Sequence, residues 1–190
     1  LRDSYYTLAA FRLLGHFEER EQFLGYLLNI ASSSPDLTLA PLYRIDGRSD
    51  LAEQTLTDWP GYLGEGPVRI GNGAATHVQN DVFGELVLGL APLFLDARFR
   101  EQASPEVLEL VIRLARKAIA LSGQPDASIW EYRTESRVRT FSALMCWAAA
   151  DRVAQVAARH RPAVAGEFTS AAAQIRSEIL GRATSREHGG

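Results

Sequence analysis

Residues 82–95 read Val-Phe-Gly-Glu-Leu-Val-Leu-Gly-Leu-Ala-Pro-Leu-Phe-Leu, and Glu85 is their only charge. A helix that is apolar all round has to be buried all round. Residues 144–150, Leu-Met-Cys-Trp-Ala-Ala-Ala, repeat the pattern with no charge at all. The helical stretch between them is striped instead. Val107, Leu108, Val111, Ile112, Ala115, Ala118 and Ile119 share one face, while Glu106, Glu109, Arg113, Arg116 and Lys117 lie off it. Glu109 and Arg113 stand at the i,i+4 spacing of a surface ion pair. Val164, Phe168, Ala171, Ala172, Ile175 and Ile179 form a similar stripe near the C-terminus. Wholly buried helices therefore alternate with half-exposed ones.

Working outward, the pattern predicts six helices in three pairs: 3–14 with 18–32, 75–97 with 104–122, and 140–159 with 163–182. Ser104 as N-cap, Pro105 in the first turn and Gly123 just past the end delimit the fourth. Pro92 should kink or weaken the third. The first member of each pair reads as inner and the second as outer, although Arg12 interrupts the first helix. The expected fold is all-α: three inner/outer hairpins of a layered toroid, too few to close a ring around a central site. Residues 1–184 make one unit, and 185–190 read as a frayed tail. Residues 33–73 form a long irregular segment holding Tyr43, Trp59, Tyr62 and Val68, too long for a mere connection. A short extended piece is expected around residues 38–43.

Composition narrows the class. The chain has 190 residues, 46% of them hydrophobic, and a formal net charge of -3, with Lys117 its only lysine. That is enough apolar material for a folded core. A single cysteine, Cys146, excludes a disulfide scaffold. The uncharged stretches 86–95 and 140–150 fall well short of the roughly 20 residues of a membrane helix. The net negative charge argues against nucleic acid as a partner. No secretory signal is visible, so a cytoplasmic location is expected. The chain opens at Leu1 and not at Met, so an upstream part is expected too.

No metal and no cofactor are expected. His16, His77, His160 and His188 are scattered, without ligands at zinc spacing. Cys146 reads as a small buried side chain. Gly71-Asn72-Gly73 lacks the further Gly and Lys of a phosphate loop and reads as a turn. Polar residues gather instead at the starts of the inner helices: Arg2-Asp3 at the first, Gln79-Asn80-Asp81 at the third, and Trp130-Glu131-Tyr132-Arg133 shortly before the fifth. If these helices run parallel, the three groups meet at one end. Carboxylates, arginine, amides and tryptophan in one cleft suit a sugar, whose hydroxyls need polar partners and whose apolar face packs on a ring.

At these residues the chain resembles a known family, glycoside hydrolase family 15, the glucoamylase-like enzymes, and within it the bacterial branch that includes trehalases. The resemblance is carried by Leu1-Arg2-Asp3-Ser4, residues 41–47 (Pro-Leu-Tyr-Arg-Ile-Asp-Gly), Gly61-Tyr62, residues 67–72 (Pro-Val-Arg-Ile-Gly-Asn), residues 79–85 (Gln-Asn-Asp-Val-Phe-Gly-Glu), Ile129-Trp130-Glu131, and residues 142–147 (Ser-Ala-Leu-Met-Cys-Trp). Their order and spacing together make the match. It implies about half of an (α/α)6 barrel and the inverting hydrolysis of α-glucosidic bonds, in which one carboxylic acid protonates the leaving oxygen and one carboxylate activates water.

Carried over by position, the resemblance assigns Glu131 as general acid, with the Trp130 ring beside it to help keep it protonated. Arg2 and Asp3 would grip hydroxyls of the non-reducing glucose. Arg69, Gln79 and Asp81 would line the site, Trp59 and Trp130 would serve as sugar platforms, and Arg133 would contact substrate. The family's general base is a Glu in a loop beyond the third helix pair, so these 190 residues are expected to be inactive alone, with the rest of the barrel or a complementing chain as partner. Residues 138–143 depart from the family: a lysine common among relatives is absent and Arg139 is new, which puts carry-over of substrate preference in doubt. The competing reading is a non-catalytic helical-hairpin module that binds a carbohydrate or a partner protein.

Overall fold

The computed structural model describes residues 1–132 and 135–184. The expected tail 185–190 lies outside the described residues. Seven helices are present among those described: α1 (Arg2–Leu14), α2 (Phe17–Ser32), α3 (Asp81–Leu90), the single turn α4 (Pro92–Leu95), α5 (Pro105–Leu121), α6 (Thr140–His160) and α7 (Pro162–Ala183). The fold is all-α, as the sequence indicates, with one two-stranded sheet of three residues per strand, β1 (Gln54–Leu56) against β2 (Val68–Ile70).

The hairpins form for local reasons. Gly15 adopts φ 83°, and the N–H of His16 reaches back to Phe11 O at 2.9 Å, which closes α1 and turns the chain into α2. Ser104 Oγ accepts from Val107 N at 3.2 Å, so α5 starts where its cap predicts. Gly123, at φ 77°, follows its end. Pro162 at the first position of α7 permits an almost immediate reversal after α6.

The inner helices α1, α3 and α6 lie side by side in that order and run parallel. Leu8 of α1 packs on Gly89 of α3. The N-terminal part of α3 meets that of α6 at Gly84 and Met145, while Arg159 and His160 at the far end of α6 reach the carbonyls of Leu95 and Phe94. A Cβ on Gly84 would stand 2.2 Å from Met145 O, so the two backbones touch there. Val82, Leu86, Val87, Leu90, Cys146, Ala149 and Val153 form the core between them, and the outer helices close it with Leu24, Leu27, Val111, Leu114 and Phe168. α1 is less enclosed than its inner place implies, since Leu8 is its one fully buried residue.

Two expectations are corrected. The third helix is not continuous over 75–97. Asn72 caps a short 3-10 turn (Gly73–Thr76), the backbone runs extended at His77, and Val78 O accepts the amide of Ala127, so α3 begins only at Asp81. At its other end, Pro92 has no amide to continue the helix and opens α4 instead. The extended piece placed at 38–43 is not a strand. Asp36 takes both the amide and the hydroxyl of Thr38, and Tyr43 Oη takes the amide of Ala40, so local bonds replace a ladder. The strands lie further on, and Gly71 at φ 75° passes so close to Ala52 that no side chain fits.

Candidate active site

The parallel inner helices bring their first turns to one end of the molecule, and there Arg2 of α1 reaches the start of α3 and the loop that precedes α6. Its Nε donates to Asp81 Oδ2 at 2.8 Å, and its Nη2 donates to Gln79 Oε1 at 2.9 Å. Gln79 in turn donates from Nε2 to Glu131 Oε1 at 3.1 Å. Arg2 Nη1 stands 3.7 Å from that same oxygen. Glu85, one turn along α3 from Asp81, places Oε1 3.8 Å from Arg2 Nε. Asp81 and Glu85 are fully buried, whereas the Glu131 side chain is 38% exposed and can meet a ligand.

A second layer holds the loop that carries Glu131. Asp126, fully buried, accepts from Asn80 N at 2.8 Å and from Ser142 Oγ at 2.7 Å through one oxygen. Ser128 Oγ lies 3.1 Å from Ser142 Oγ. Asp126 and Arg137 also exchange backbone hydrogen bonds. The loop is thus tied to the start of α3 and the start of α6 at once. Ser128 and Glu131 both sit at positive φ, 51° and 50°, conformations that non-glycine residues hold only where surroundings fix them. Burial pushes the Asp126 carboxyl up, and the bonds from Ser142 and Asn80 oppose that rise.

Glu85 is the most perturbed acid of the cluster. Burial, reinforced by the charge of Asp81, raises it to about 8, against the pull of Arg2. Burial likewise pushes the Cys146 thiol up to about 12, and its sulfur sits 3.9 Å from Asn80 O. A thiol so disposed stays protonated and is no nucleophile.

The remaining described residues singled out in the sequence are exposed. The Asp3 side chain is exposed at the start of α1. Arg69, on β2, pairs with Glu53 at 3.4 Å. Trp59 and Trp130 are 65% and 68% exposed. Arg133 lies outside the described residues. Glu85, Asp126, Ser128 and Ser142 were given no role from sequence. For Glu85 the signal was there: a lone carboxylate in an otherwise apolar inner helix, four residues after Asp81. For Asp126 nothing local marks it. Among the described residues no group of three or more His, Cys, Asp or Glu is placed to hold a metal ion. A cavity of about 420 Å³ lined by Arg12, Arg20 and Arg152 sits toward the other ends of α1 and α3, and none of the clustered residues lines it.

The sequence profile of the Glycosyl hydrolases family 15 matches residues 1–188. The chain belongs to this family. As a member of glycosyl hydrolase family 15 it shares the (α/α)6 class of fold, of which the three hairpins are an arc. It is similar to a trehalase of Mycobacterium tuberculosis, 33% identical over all of this chain and 27% of that protein. A trehalase of Thermoplasma volcanium is 32% identical over 83% of this chain and 24% of its own length. Trehalase 2 of Sulfolobus acidocaldarius is 30% identical over 99% of this chain and 33% of its own length. The chain therefore spans about a quarter to a third of the length of these curated relatives. No solved structure gives a significant match. Among the described residues no helix is long and apolar enough to cross a membrane.

Proposed function

We propose that this family 15 chain carries the glucose-gripping wall and the general acid of an inverting α-glucoside hydrolase, with trehalose as the substrate to test first. The observation that supports this best is the hydrogen-bonded series Asp81–Arg2–Gln79–Glu131, which joins one prospective acid to the arginine proposed to bind sugar hydroxyls. In this reading Gln79 holds Glu131 Oε1 and turns Oε2, carrying the proton, toward the glycosidic oxygen. Arg2 and Asp3 take hydroxyls of the non-reducing glucose. Trp59 and Trp130 offer apolar faces at the rim, and Arg69 and Arg133 complete the polar lining.

Protonating the leaving oxygen is half of the reaction. Inversion also needs a carboxylate about 6.5–9.5 Å from the acid, on the opposite face of the sugar, to activate water. Glu85 and Asp81 cannot serve, since both are buried beneath Arg2 on the same side as Glu131. The base in this proposal comes from outside these 190 residues, and the 190-residue piece alone is inactive. The preference for trehalose rests on the relatives named above, each a trehalase by name.

The test uses the full natural chain with trehalose and maltose. Glu131→Gln keeps the side-chain shape but cannot donate a proton. Loss of a general acid lowers turnover by about 10²–10⁴-fold. Glucose release by the wild type and its collapse in Glu131→Gln are the expected result. Unchanged turnover in the variant would remove Glu131 from the role. Glucose release by the isolated 190-residue piece would refute the claim that its base lies elsewhere.

A further inference from the structure

One guanidinium faces three carboxylates in this site. Arg2 Nε is committed to Asp81 Oδ2 at 2.8 Å, and Arg2 also lies 3.7 Å from Glu131. Glu85 receives only the 3.8 Å approach of the same Nε, and neither of its oxygens has a hydrogen-bond partner, although both are buried. An ionised carboxylate so placed would be a desolvated charge with nothing donating to it, which is among the costliest arrangements in a protein interior. A protonated carboxyl needs an acceptor, and one stands a helical turn away: Asp81 Oδ1 is buried and also without a partner. Residues i and i+4 on a helix are neighbours. The surrounding charged and titratable groups are Asp81 on α3, Arg2, Asp3 and Tyr6 on α1, and the amino group of Leu1. Both acids among them favour a proton on Glu85. Arg2 and the Leu1 amine oppose it, and the amine does so only where the chain starts at Leu1.

We propose that Glu85 is a neutral positioning residue: it donates its proton toward Asp81 Oδ1, and by remaining uncharged it leaves the charge of Arg2 to Asp81 and to the substrate hydroxyls. This role in the reaction rests on the functional reading above. The protonation state itself does not. Were Glu85 ionised, it would compete with Asp81 and the substrate hydroxyls for the same guanidinium and draw Arg2 deeper into the seam between α1 and α3. The burial that raises Glu85 to about 8 places this change at mildly alkaline pH.

The experiment has an activity-free arm and a ligand arm, both on the full natural chain. In the first, thermal midpoints of wild type and Glu85→Gln are compared from pH 4 to pH 9. An acid raised on folding from about 4.5 to about 8 stabilises fully below 4.5, and that stability is lost as pH rises through 8. The advantage of Glu85→Gln over wild type should therefore grow between those limits and level off above them. A difference that stays flat overturns the proposal. If Glu85→Gln does not fold, the wild type decides by infrared difference spectroscopy. A protonated-carboxyl band present at pH 7 and gone at pH 9 supports the proposal, and its absence at pH 7 overturns it.

In the second arm, trehalose affinity is measured by calorimetry in the Glu131→Gln background, which cannot turn the sugar over. Affinity should fall about fivefold from pH 7 to pH 9, at the low end of ordinary coupling between sites, and Glu85→Gln should abolish the fall. A fall that persists in Glu85→Gln overturns the link through Arg2. Absence of trehalose binding at every pH counts against the functional reading, while the first arm still decides the state of Glu85.

Discussion

The two halves of the proposed site are held in different ways. At the helix ends, Arg2, Gln79, Asp81 and Glu131 bond to one another, and each stands on or next to an element packed into the core. In the segment between α2 and α3, Arg69 pairs with Glu53, the residue just before β1, and Trp59 extends into solvent. The first group is fixed by its own hydrogen bonds. The second stands on a loop segment with its side chains exposed. Groups that must be placed within a fraction of an ångström for catalysis belong in the first class. Groups that supply contact area can sit in the second.

Arg2→Ala is the hardest blow to that contrast. It strips a buried carboxylate of its cation, and breaking such a pair costs about 3–5 kcal/mol. A chemical-denaturation series on the full chain should show this as a large drop in midpoint. A cost near that of an ordinary surface substitution would mean that the cluster is no better fixed than the loop. Ser142→Ala probes the second layer. It removes a donor from buried Asp126, and leaving such a group short of a partner costs about 1–3 kcal/mol. Turnover should fall along with stability, because the same bond steadies the loop of Glu131; turnover unaffected by the loss would uncouple the two. Trp59→Ala should do least. Its stability change should stay within about 0.5 kcal/mol, as for exposed sites generally. KM for trehalose should rise with little change in kcat, and a collapse of kcat would place Trp59 in the rigid half.

Much of this was legible in the residues. The stretch 82–95 announced a buried helix, and Ser104, Pro105 and Gly123 marked the ends of α5 because capping is local chemistry. The meeting of Arg2, Gln79, Asp81 and Glu131 follows once the inner helices are taken as parallel, because polar groups in or just before the starts of parallel helices share one end. What escaped had non-local causes. The late start of α3 depends on Ala127 and Asp126, some 46 residues downstream of Asn80, capturing its approach. Periodicity cannot report that, since residues 75–80 are as compatible with helix as those after them. Asp126 looked like an ordinary loop acid, and only its burial between α3 and α6 reveals its use. The strand pair was missed because three-residue strands leave no alternation to count.

Gly84 has a consequence beyond packing. Because α3 and α6 touch there through bare backbone, the gap between them has no side chain whose rotamer could be adjusted. Gly84 thus acts as a fixed gauge between the helix that bears Asp81 and the one that anchors the Glu131 loop. Any engineering of this scaffold would have to leave that gauge untouched, because one added methyl at Gly84 would shift the start of α3 against the loop of Glu131 without altering a single residue of the proposed site.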